Sequence, residues 1–514
     1  MGDARVEVGP EPLTIDQIVA VARHGAPVAL TDESLKAIGA ARAHIEELAA
    51  RSTPVYGVST GFGALATRHI APEMRARLQL NIVRSHAAGS GPEVEREVVR
   101  ALMLLRLRTL ASGRTGVQPV TATTLADLLN AGVTPVVHEH GSLGCSGDLA
   151  PLAHVALTLI GEGPVRDARG ERVPAAEALA AAGIEPVTLG AKEGLALLNG
   201  TDGMLGMLAL AIADLRRLLT AADLAAAMTV EALLGTDRVF AADLQELRPH
   251  PGQAVSAANL RALLAESEIM ESHRGPDCTR VQDAYSLRCS PQVNGAARDT
   301  LAHAELVASR ELAAAIDNPV VLPDGRVESN GNFHGAPIAY VLDFLAIPVA
   351  DLASMSERRT DRMLDRARSA GLPAFLADDP GVDSGHMIAQ YTQAAIVAEL
   401  KRLAVPASAD SIPSSAMQED HVSMGWGAAR KLRVAVDRLA QVIGIEILTA
   451  ARALDLRRPL RPGPATAAVV AALREHVEGP GPDRHLAPEI AAATALVRDG
   501  TLVAAAEAVT GPLS

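Results

Sequence analysis

Apolar residues recur at three- and four-residue intervals along most of the chain, the spacing that places them on one face of an α-helix. Between residues 31 and 51, charged side chains separate such positions, which are Leu35, Ile38, Ile45 and Leu48. A Thr and an Asp suited to capping precede them, so the pattern predicts an amphipathic helix. Further segments rich in Ala and Leu continue the spacing at residues 98–110, 205–234, 297–316, 338–363 and 387–403. Several are apolar on more than one face, which indicates helices buried in a bundle or between subunits.

Short β-branched segments lie beside Gly and Pro turns at residues 133–138 and 320–322 and predict brief strands. Hydrophobic residues make up 48% of the chain but aromatic residues only 2%, so we expect a core of Ala, Leu, Val and Ile. That composition suits close-packed helices. No Pro/Gly/Ser-rich or charged linker divides the 514 residues. We therefore expect a mainly α fold with one continuous core.

The chain carries a formal net charge of −13 without a basic cluster, which argues against nucleic acid and anionic membranes as partners. Its longest apolar stretch, residues 204–213, ends at Asp214 and is far shorter than a membrane span. The N-terminal residues are acidic and include no apolar signal segment. The three cysteines form no CxxC pair, so a disulfide framework is not expected. Together these features predict a cytoplasmic protein.

The tripeptide Cys145-Ser146-Gly147 can form an electrophile from its own backbone. The Gly147 nitrogen can attack the Cys145 carbonyl, and loss of two waters, one carrying the Ser146 hydroxyl, leaves a five-membered ring with an exocyclic methylene. This ring is 4-methylideneimidazol-5-one (MIO). Glycine leaves the attacking nitrogen unhindered, and the first residue only decorates the ring, so a change of Cys145 to Ala is expected to be nearly silent. Because Ser-Gly is also an ordinary turn signal, the surrounding residues decide the interpretation.

Those surroundings, GSLGCSGDLAPLAH at residues 141–154, closely resemble the signature of the aromatic amino acid ammonia-lyases. Similar blocks occur in the family's order along nearly the whole chain, on both sides of this signature: YGVSTGFG (56–63), NIVRSHAAG (81–89), KEGLALLNGT (192–201), LRPHPGQ (247–253), VQDAYSLRC (281–289), ESNGNFHG (328–335) and QEDHVSMG (418–425). Eight separated blocks in one order are not expected by chance. The chain departs from the family pattern at four positions. The family commonly has Ala where this chain has Cys145 and Pro where it has Ala284. It commonly has a large apolar residue at His386 and Asn at Met417.

The resemblance implies a two-part organisation. An N-terminal domain, residues 1–200, would contain the MIO loop, and a long central and C-terminal helical bundle would occupy residues 201–514. The family resemblance further implies a homotetramer in which each active site draws on several subunits. It implies MIO as the cofactor, formed autocatalytically by the chain, with no metal or nucleotide.

The resemblance also implies roles for individual residues. Tyr56 matches the catalytic base, whose phenolate the site must stabilise, because a free tyrosine with a pKa near ~10 is a poor base at neutral pH. Arg288 matches the residue that binds the substrate carboxylate, a task suited to a planar bidentate donor. The other matches are the polar residues around the ring and carboxylate, Asn199, Gln282 and Tyr285, and an aromatic wall, Phe333.

His86 and Glu419 govern the expected choice of substrate. In the phenylalanine and tyrosine lyases, apolar Leu commonly stands at the first position and Gln at the second. A buried glutamate facing a phenyl ring would be an unpaired charge, whereas an imidazole offers N–H donors. The pair therefore predicts L-histidine as substrate and trans-urocanate as product, in the first step of histidine degradation. The alternative is that His86 is a core histidine and Glu419 caps a helix.

Three other functional interpretations remain open from the sequence. An aminomutase with the same electrophile would share almost every block but return the amine to the β-carbon, and a related lyase would act on another aromatic amino acid. A non-catalytic helical oligomer would lack the ring. Weaker motifs are discounted: the GxGxxA pattern at residues 61–66 has no alternating strands and helices around it. Neither His138-Glu139-His140 nor Glu419-Asp420-His421 has the spacing of a zinc-binding HExxH helix.

Overall fold

The computed structural model describes residues 5–50, 57, 60–61, 68, 70–275, 278 and 281–514. Helices account for 60% of the structure, which confirms the expected mainly α fold. The chain forms two compact units, each assembled from separate segments. The first unit comprises residues 1–213, 305–343 and 406–430, and the second comprises residues 214–304, 344–405 and 431–514. A domain boundary between residues 200 and 201 stays a prediction from the sequence.

The first unit combines helices with small sheets. The helices that lie wholly within it are α1 (Ile15–Ala22), α2 (Asp32–Ala50), α3 (Arg75–His86), α4 (Arg96–Ala111), α5 (Pro119–Asn130), α6 (Leu149–Leu159), α7 (Ala175–Ala182) and α8 (Glu193–Leu198). The strands among the described residues are β1 (Val6–Val8), β2 (Val28–Leu30), β3 (Ser90–Glu93), β4 (Thr134–Pro135), β5 (His138–His140), β6 (Pro164–Arg166), β7 (Arg172–Pro174), β8 (Val320–Val321) and β9 (Val327–Glu328).

The strands pair in separate small sheets. β1 and β2 are parallel, whereas β3 pairs with β5, β6 with both β4 and β7, and β8 with β9 in antiparallel fashion. The single strand predicted at residues 133–138 is therefore divided, because β4 and β5 pair with different partners. The strand predicted at residues 320–322 is confirmed as β8.

Helix α4 is buried at every residue from Val98 to Ala111. Its burial includes Arg100, whose guanidinium donates hydrogen bonds to the carbonyl oxygens of Val21 and Leu129 at 3.0–3.1 Å. A buried cation is tolerated where such acceptors replace water. The apolar periodicity at residues 98–110 thus predicted a helix that lies in the core. Arg100 of this helix joins the segments that contain Val21 and Leu129.

Long helices contain residues of both units: α9 (Asp202–Ala232), α14 (Ser290–Leu312), α15 (Ala336–Leu364) and α17 (Gly425–Asp455). The sequence predicted each of the first three with shifted ends. α9 stops before residue 234 because Leu234 adopts a left-handed φ of +52°. The remaining helices of the second unit are α10 (Ala242–Glu246), α11 (Pro251–Leu263), α12 (Glu268–Glu271), α13 (Tyr285–Arg288), α16 (Met387–Leu403), α18 (Pro464–Arg474), α19 (Ala487–Asp499) and α20 (Thr501–Thr510).

Buried polar contacts join the helices of the second unit into a bundle. Glu446 of α17 accepts hydrogen bonds from Arg359 of α15 at 2.5 and 2.8 Å and from Thr229 of α9 at 2.8 Å. Gln393 of α16 donates to the Val442 carbonyl oxygen of α17 at 2.9 Å. Because the donors and acceptors of these contacts are buried and paired with one another, the contacts fix the helices in one register.

One helix among the described residues, α15, is long and apolar enough to cross a membrane by length and composition. In its most apolar window, 61% of the residues are buried inside the structure. The buried core helix of a globular protein meets the same criteria, so this single helix is weak evidence for a membrane span.

His386, one of the departures from the family pattern, lies in the second unit. It is 2% exposed, and its Nδ1 is 3.1 Å from the Thr449 hydroxyl. Burial is the largest cause that lowers the pKa of His386 to about 3; the positive charges of Arg452, Arg484 and Arg474 contribute to this shift, and the negative charge of Asp483 opposes it. The imidazole is therefore neutral in the folded chain.

We expect His386 to make the second unit sensitive to acid. Its pKa rises from about 3 in the folded state to the ordinary 6.5 on unfolding, so the unfolded chain binds the proton first as the pH falls. The contribution of the neutral His386 to the free energy of unfolding is fully present above pH 6.5 and is lost as the pH falls towards 3. At pH 5 the loss is about 2 kcal/mol. His386→Leu should reduce the drop in unfolding free energy between pH 7 and pH 5. The exposed His476→Leu is the control, and an equal drop in all three proteins would contradict the expectation.

Candidate active site

The loop that joins β5 to α6 contains the Cys145-Ser146-Gly147 tripeptide. Gly147 adopts a φ of +80° and forms a parallel β-bridge with Gly200. A Cβ at Gly147 would lie 2.0 Å from the Gly200 carbonyl oxygen, so only glycine fits at this position. The absence of a side chain is also what the predicted attack by the Gly147 nitrogen requires.

Two further motif segments are attached to this loop at Gly144. The Gly335 N–H donates to the Gly144 carbonyl oxygen at 3.0 Å, and the Ser423 hydroxyl donates to the same oxygen at 2.6 Å. The half-buried Phe333 lies two residues before Gly335. The blocks that contain Phe333 and Glu419 are therefore bonded to the tripeptide loop within the first unit.

Asp148 ties the tripeptide loop to the start of α9. Its carboxylate accepts hydrogen bonds from the N–H groups of Gly203 and Met204 at 2.8 and 2.9 Å and from the Ser142 hydroxyl at 2.9 Å. Complete burial raises the pKa of Asp148 to about 7, although these hydrogen bonds oppose the rise. Negative charge is favourable at a helix N-terminus, so this position suits a carboxylate that fixes the loop.

Glu419 contacts the tripeptide directly. Its Oε1 accepts a hydrogen bond from the Ser146 hydroxyl at 3.2 Å, and its Oε2 accepts one from the Cys145 thiol at 3.4 Å. The Ser414 hydroxyl also donates to Oε2, at 3.2 Å. Burial, followed by the negative charge of Glu419, raises the pKa of Cys145 to about 11. The thiol is therefore protonated at neutral pH and is a hydrogen-bond donor.

The segment before Glu419 has an unusual backbone. Ser415, Ala416 and Met417 adopt φ values of +51°, +52° and +69° in succession. Left-handed conformations are unfavourable for residues other than glycine, and Asn tolerates them better than Met. Reciprocal backbone hydrogen bonds between Ser414 and Glu419 close this turn at 2.9 and 3.3 Å. Strain of this kind concentrates at functional sites.

His86, the last residue of α3, is also affected by the negative charge of Glu419. Its side chain is partly buried, and its Nδ1 is 3.1 Å from the Ser85 hydroxyl. Burial lowers the pKa of His86, while a backbone hydrogen bond at Ile82 and the negative charge of Glu419 act in the opposite direction. The imidazole is thus neutral at physiological pH and offers one donor and one acceptor nitrogen.

Asn199 caps the C-terminus of α8 next to Gly200. It is 4% exposed, and its side-chain Oδ1 has no hydrogen-bond partner among the described residues. Its backbone carbonyl accepts from the buried Arg106 at 2.9 Å, and Arg106 is in turn paired with Asp202. A buried, unpaired amide oxygen held on a fixed backbone is suited to receive a hydrogen bond from a ligand.

The second unit contains Gln282, Tyr285 and Arg288. Gln282 is exposed and Tyr285 is 71% exposed, which is a large fraction for an aromatic residue. The Arg288 guanidinium carbon lies 4.6 Å from the Tyr285 ring centroid, a cation–π contact. The buried Nε of Arg288 has no hydrogen-bond partner within the described part of the chain. Tyr56, the predicted base, lies outside the described residues.

The site combines a carboxylate, a neutral imidazole and a serine hydroxyl next to two constrained glycines. Across the described ranges, no group of three or more His, Cys, Asp and Glu side chains could hold a metal ion. The loop geometry suits cyclisation of the tripeptide, and the unpaired Asn199 Oδ1 beside it in the first unit suits a polar ligand. The fold and these groups together are those expected of an ammonia-lyase.

Comparison with known proteins supports this class. A family model described as aromatic amino acid lyase matches residues 13–475, and the chain therefore belongs to the aromatic amino acid lyase family. The membership confirms the resemblance found in the ordered motif blocks and the predicted class of enzyme, a carbon–nitrogen lyase.

Several relatives match over nearly their full length. A histidine ammonia-lyase of Streptomyces coelicolor is 70% identical over 509 residues, which cover 99% of each chain. The solved structure of histidine ammonia-lyase from Trypanosoma cruzi has a TM-score of 0.90 and 39% identity, and covers 98% of this chain and 96% of that one. A tyrosine aminomutase from Streptomyces globisporus has a TM-score of 0.94 and 39% identity, and covers 99% of this chain and 100% of that one.

Proposed function

We propose that the chain eliminates ammonia from L-histidine to give trans-urocanate, as a histidine ammonia-lyase does. The observation that carries this proposal is the hydrogen bond that Glu419 accepts from Ser146. The negative charge of Glu419 also acts on the neutral imidazole of His86. An imidazole can donate to the carboxylate and exchange a hydrogen bond with His86, whereas a phenyl ring can do neither. The 70% identity to a histidine ammonia-lyase supports the same substrate.

We further propose MIO, formed from Cys145, Ser146 and Gly147, as the cofactor. The residues fit this group, because Gly147 is held in a conformation that excludes a side chain and Ser146 supplies the hydroxyl that leaves as water. The unpaired Asn199 Oδ1 lies one residue from Gly200, the β-bridge partner of Gly147. When formed, the ring supplies the electrophile that makes loss of ammonia feasible.

The residues of the chain would then divide the remaining tasks. Tyr56 acts as the base that removes the β-proton, and Asn199, Gln282 and Tyr285 donate or accept hydrogen bonds around the reacting groups. Phe333 forms an apolar wall for the substrate. Arg288 binds the substrate carboxylate, a role that the unpaired Nε and the cation–π contact with Tyr285 support.

A lysine at position 288 should bind the substrate less well than arginine does. An ammonium group cannot form the parallel pair of hydrogen bonds that a guanidinium makes with a carboxylate. We expect Arg288→Lys to raise KM for L-histidine by about ten-fold with a smaller change in kcat, the size of one lost charge-assisted hydrogen bond. Steady-state kinetics would measure it, with the exposed Arg366→Lys as control. An unchanged KM would assign the carboxylate to another residue.

The quaternary structure and location follow from the same proposal. We propose a homotetramer in which residues of different subunits complete each active site, as the family resemblance implies, in the cytoplasm. Tyr285 at 71% exposure and Val281 at 92% exposure are suited to cover by another subunit. Sedimentation velocity of the purified protein would measure the subunit number.

The deciding experiment is a comparison of three amino acids with the purified chain. L-Histidine should yield trans-urocanate and ammonia, and tyrosine and phenylalanine should react marginally at most. Absorbance would follow the unsaturated acids, and chromatography would detect any β-amino acid. A preference for tyrosine or phenylalanine, or formation of a β-amino acid, would replace the proposal with one of the alternatives left open by the sequence.

A further inference from the structure

The carboxylate of Glu419 is held unequally at its two oxygens. Oε1 accepts one side-chain hydrogen bond, from Ser146, whereas Oε2 accepts two, from Cys145 and Ser414. Cys145 is 6% exposed, and Glu419 is partly buried. These donors come from two distant segments of the first unit, so the carboxylate links them.

Cyclisation of the tripeptide would change this arrangement. The Ser146 hydroxyl leaves as water, so Oε1 loses its side-chain donor, while both donors to Oε2 belong to groups that the reaction leaves in place. The result is a carboxylate whose Oε2 is still held by two donors and whose Oε1 is open, that is, without a side-chain donor. An open carboxylate oxygen away from bulk water gains a large free energy from any N–H donor that reaches it.

We propose that the Cys145 thiol is a positioning residue that, with Ser414, orients Glu419 so that its open oxygen faces the imidazole of the substrate. This inference rests on the proposed function. It revises the expectation that exchange of Cys145 for Ala is nearly silent, which considered only the chemistry of the ring. Alanine would leave cyclisation intact but remove one of the two donors that stop the carboxylate from rotating.

The charge state of the thiol agrees with this role. With a pKa of about 11, Cys145 keeps its proton over the whole neutral range and donates to the carboxylate. The thiolate, which is the reactive form of cysteine, is scarce at those pH values. Cys145 therefore acts through Glu419 rather than on the substrate.

The test uses the full-length protein and the variants Cys145→Ala, Ser414→Ala, their combination and Cys145→Ser. We expect Cys145→Ala to raise KM for L-histidine about three- to ten-fold, the effect of one hydrogen bond to a charged group, with kcat changed less. Because either donor alone still restrains Oε2, the double variant should exceed the product of the single effects. Cys145→Ser, which retains a donor, should recover part of the loss.

Two controls separate orientation of Glu419 from general damage. Intact mass spectrometry should show loss of two waters in every variant, and the inhibition constant of L-phenylalanine, which has no imidazole N–H, should not change. Removal of the exposed thiol in Cys278→Ala should have no effect on KM. A wild-type KM in Cys145→Ala, or an equal weakening of histidine and phenylalanine, would overturn the inference while the proposed function stands. Absence of urocanate from the wild-type reaction would overturn the proposed function and this inference together.

Discussion

Replacement of Ser146 with alanine should abolish turnover while leaving the fold intact. Alanine has no hydroxyl to eliminate, so the tripeptide stays open and the electrophile does not form. We expect the wild-type protein to weigh two waters less than its translated sequence and Ser146→Ala to have its full mass. The fall in kcat should be roughly a thousand-fold or more, since the chemical step loses its electrophile.

A matched variant distinguishes the ring from the hydrogen bond that Ser146 makes with Glu419. Ser414→Ala removes a hydroxyl that also donates to Glu419 but lies outside the tripeptide. It should retain the mass deficit that Ser146→Ala loses. Active wild-type protein at its full translated mass would exclude MIO as the cofactor, and turnover by Ser146→Ala at a rate near that of the wild type would require another electrophile.

Glu419→Gln and His86→Leu should each lower the turnover of L-histidine by about ten- to a hundred-fold. Each change leaves a polar group of the buried imidazole without its partner, at about 1–3 kcal/mol. The loss should be larger for histidine than for phenylalanine or tyrosine, because only the imidazole needs these groups. The measurement is kcat/KM for the three amino acids with wild type and both variants.

The same two substitutions at other positions of the first unit provide the control. Glu73→Gln and His24→Leu alter the same residue types at exposed positions and should leave the preference for histidine unchanged. Equal losses for all three amino acids in Glu419→Gln or His86→Leu would show a structural effect. Unchanged kinetics in both variants would assign His86 to core packing and Glu419 to the cap of a local turn.

Local patterns in the sequence predicted the helices well because burial follows their periodicity. The helix predicted at residues 387–403 coincides with α16, and the other long helices differ at their ends, where conformations such as the left-handed Leu234 decide. The motif blocks also identified the segments that meet around Gly144. Periodicity alone would not have joined residues 144, 335 and 423, because their contacts depend on distant parts of the chain.

The polar residues that support the site left no comparable signal. Asp148 fixes the tripeptide loop to the start of α9, where its partner Gly203 lies 55 positions further along the chain. Ser414 and Arg106 carry no signal of their contacts, since a serine in a loop and an arginine in an apolar helix are ordinary residues there. The capping position of Asp148 beside a helix start was the one local clue. The role of Cys145 could not be inferred because its partner lies 274 residues away.

The left-handed turn from Ser415 to Met417 has a consequence for exchange of loops among relatives. The direction in which Glu419 points depends on the handedness of three consecutive residues, and none of the three is a glycine. A substitution that returned any of them to a right-handed conformation would redirect the backbone and move the carboxylate away from Ser146. This would happen even though the side chains that form the site are unchanged. An exchange of substrate specificity between relatives should therefore transfer residues 414–419 as one block, because the left-handed backbone conformation of this segment sets the direction of the carboxylate.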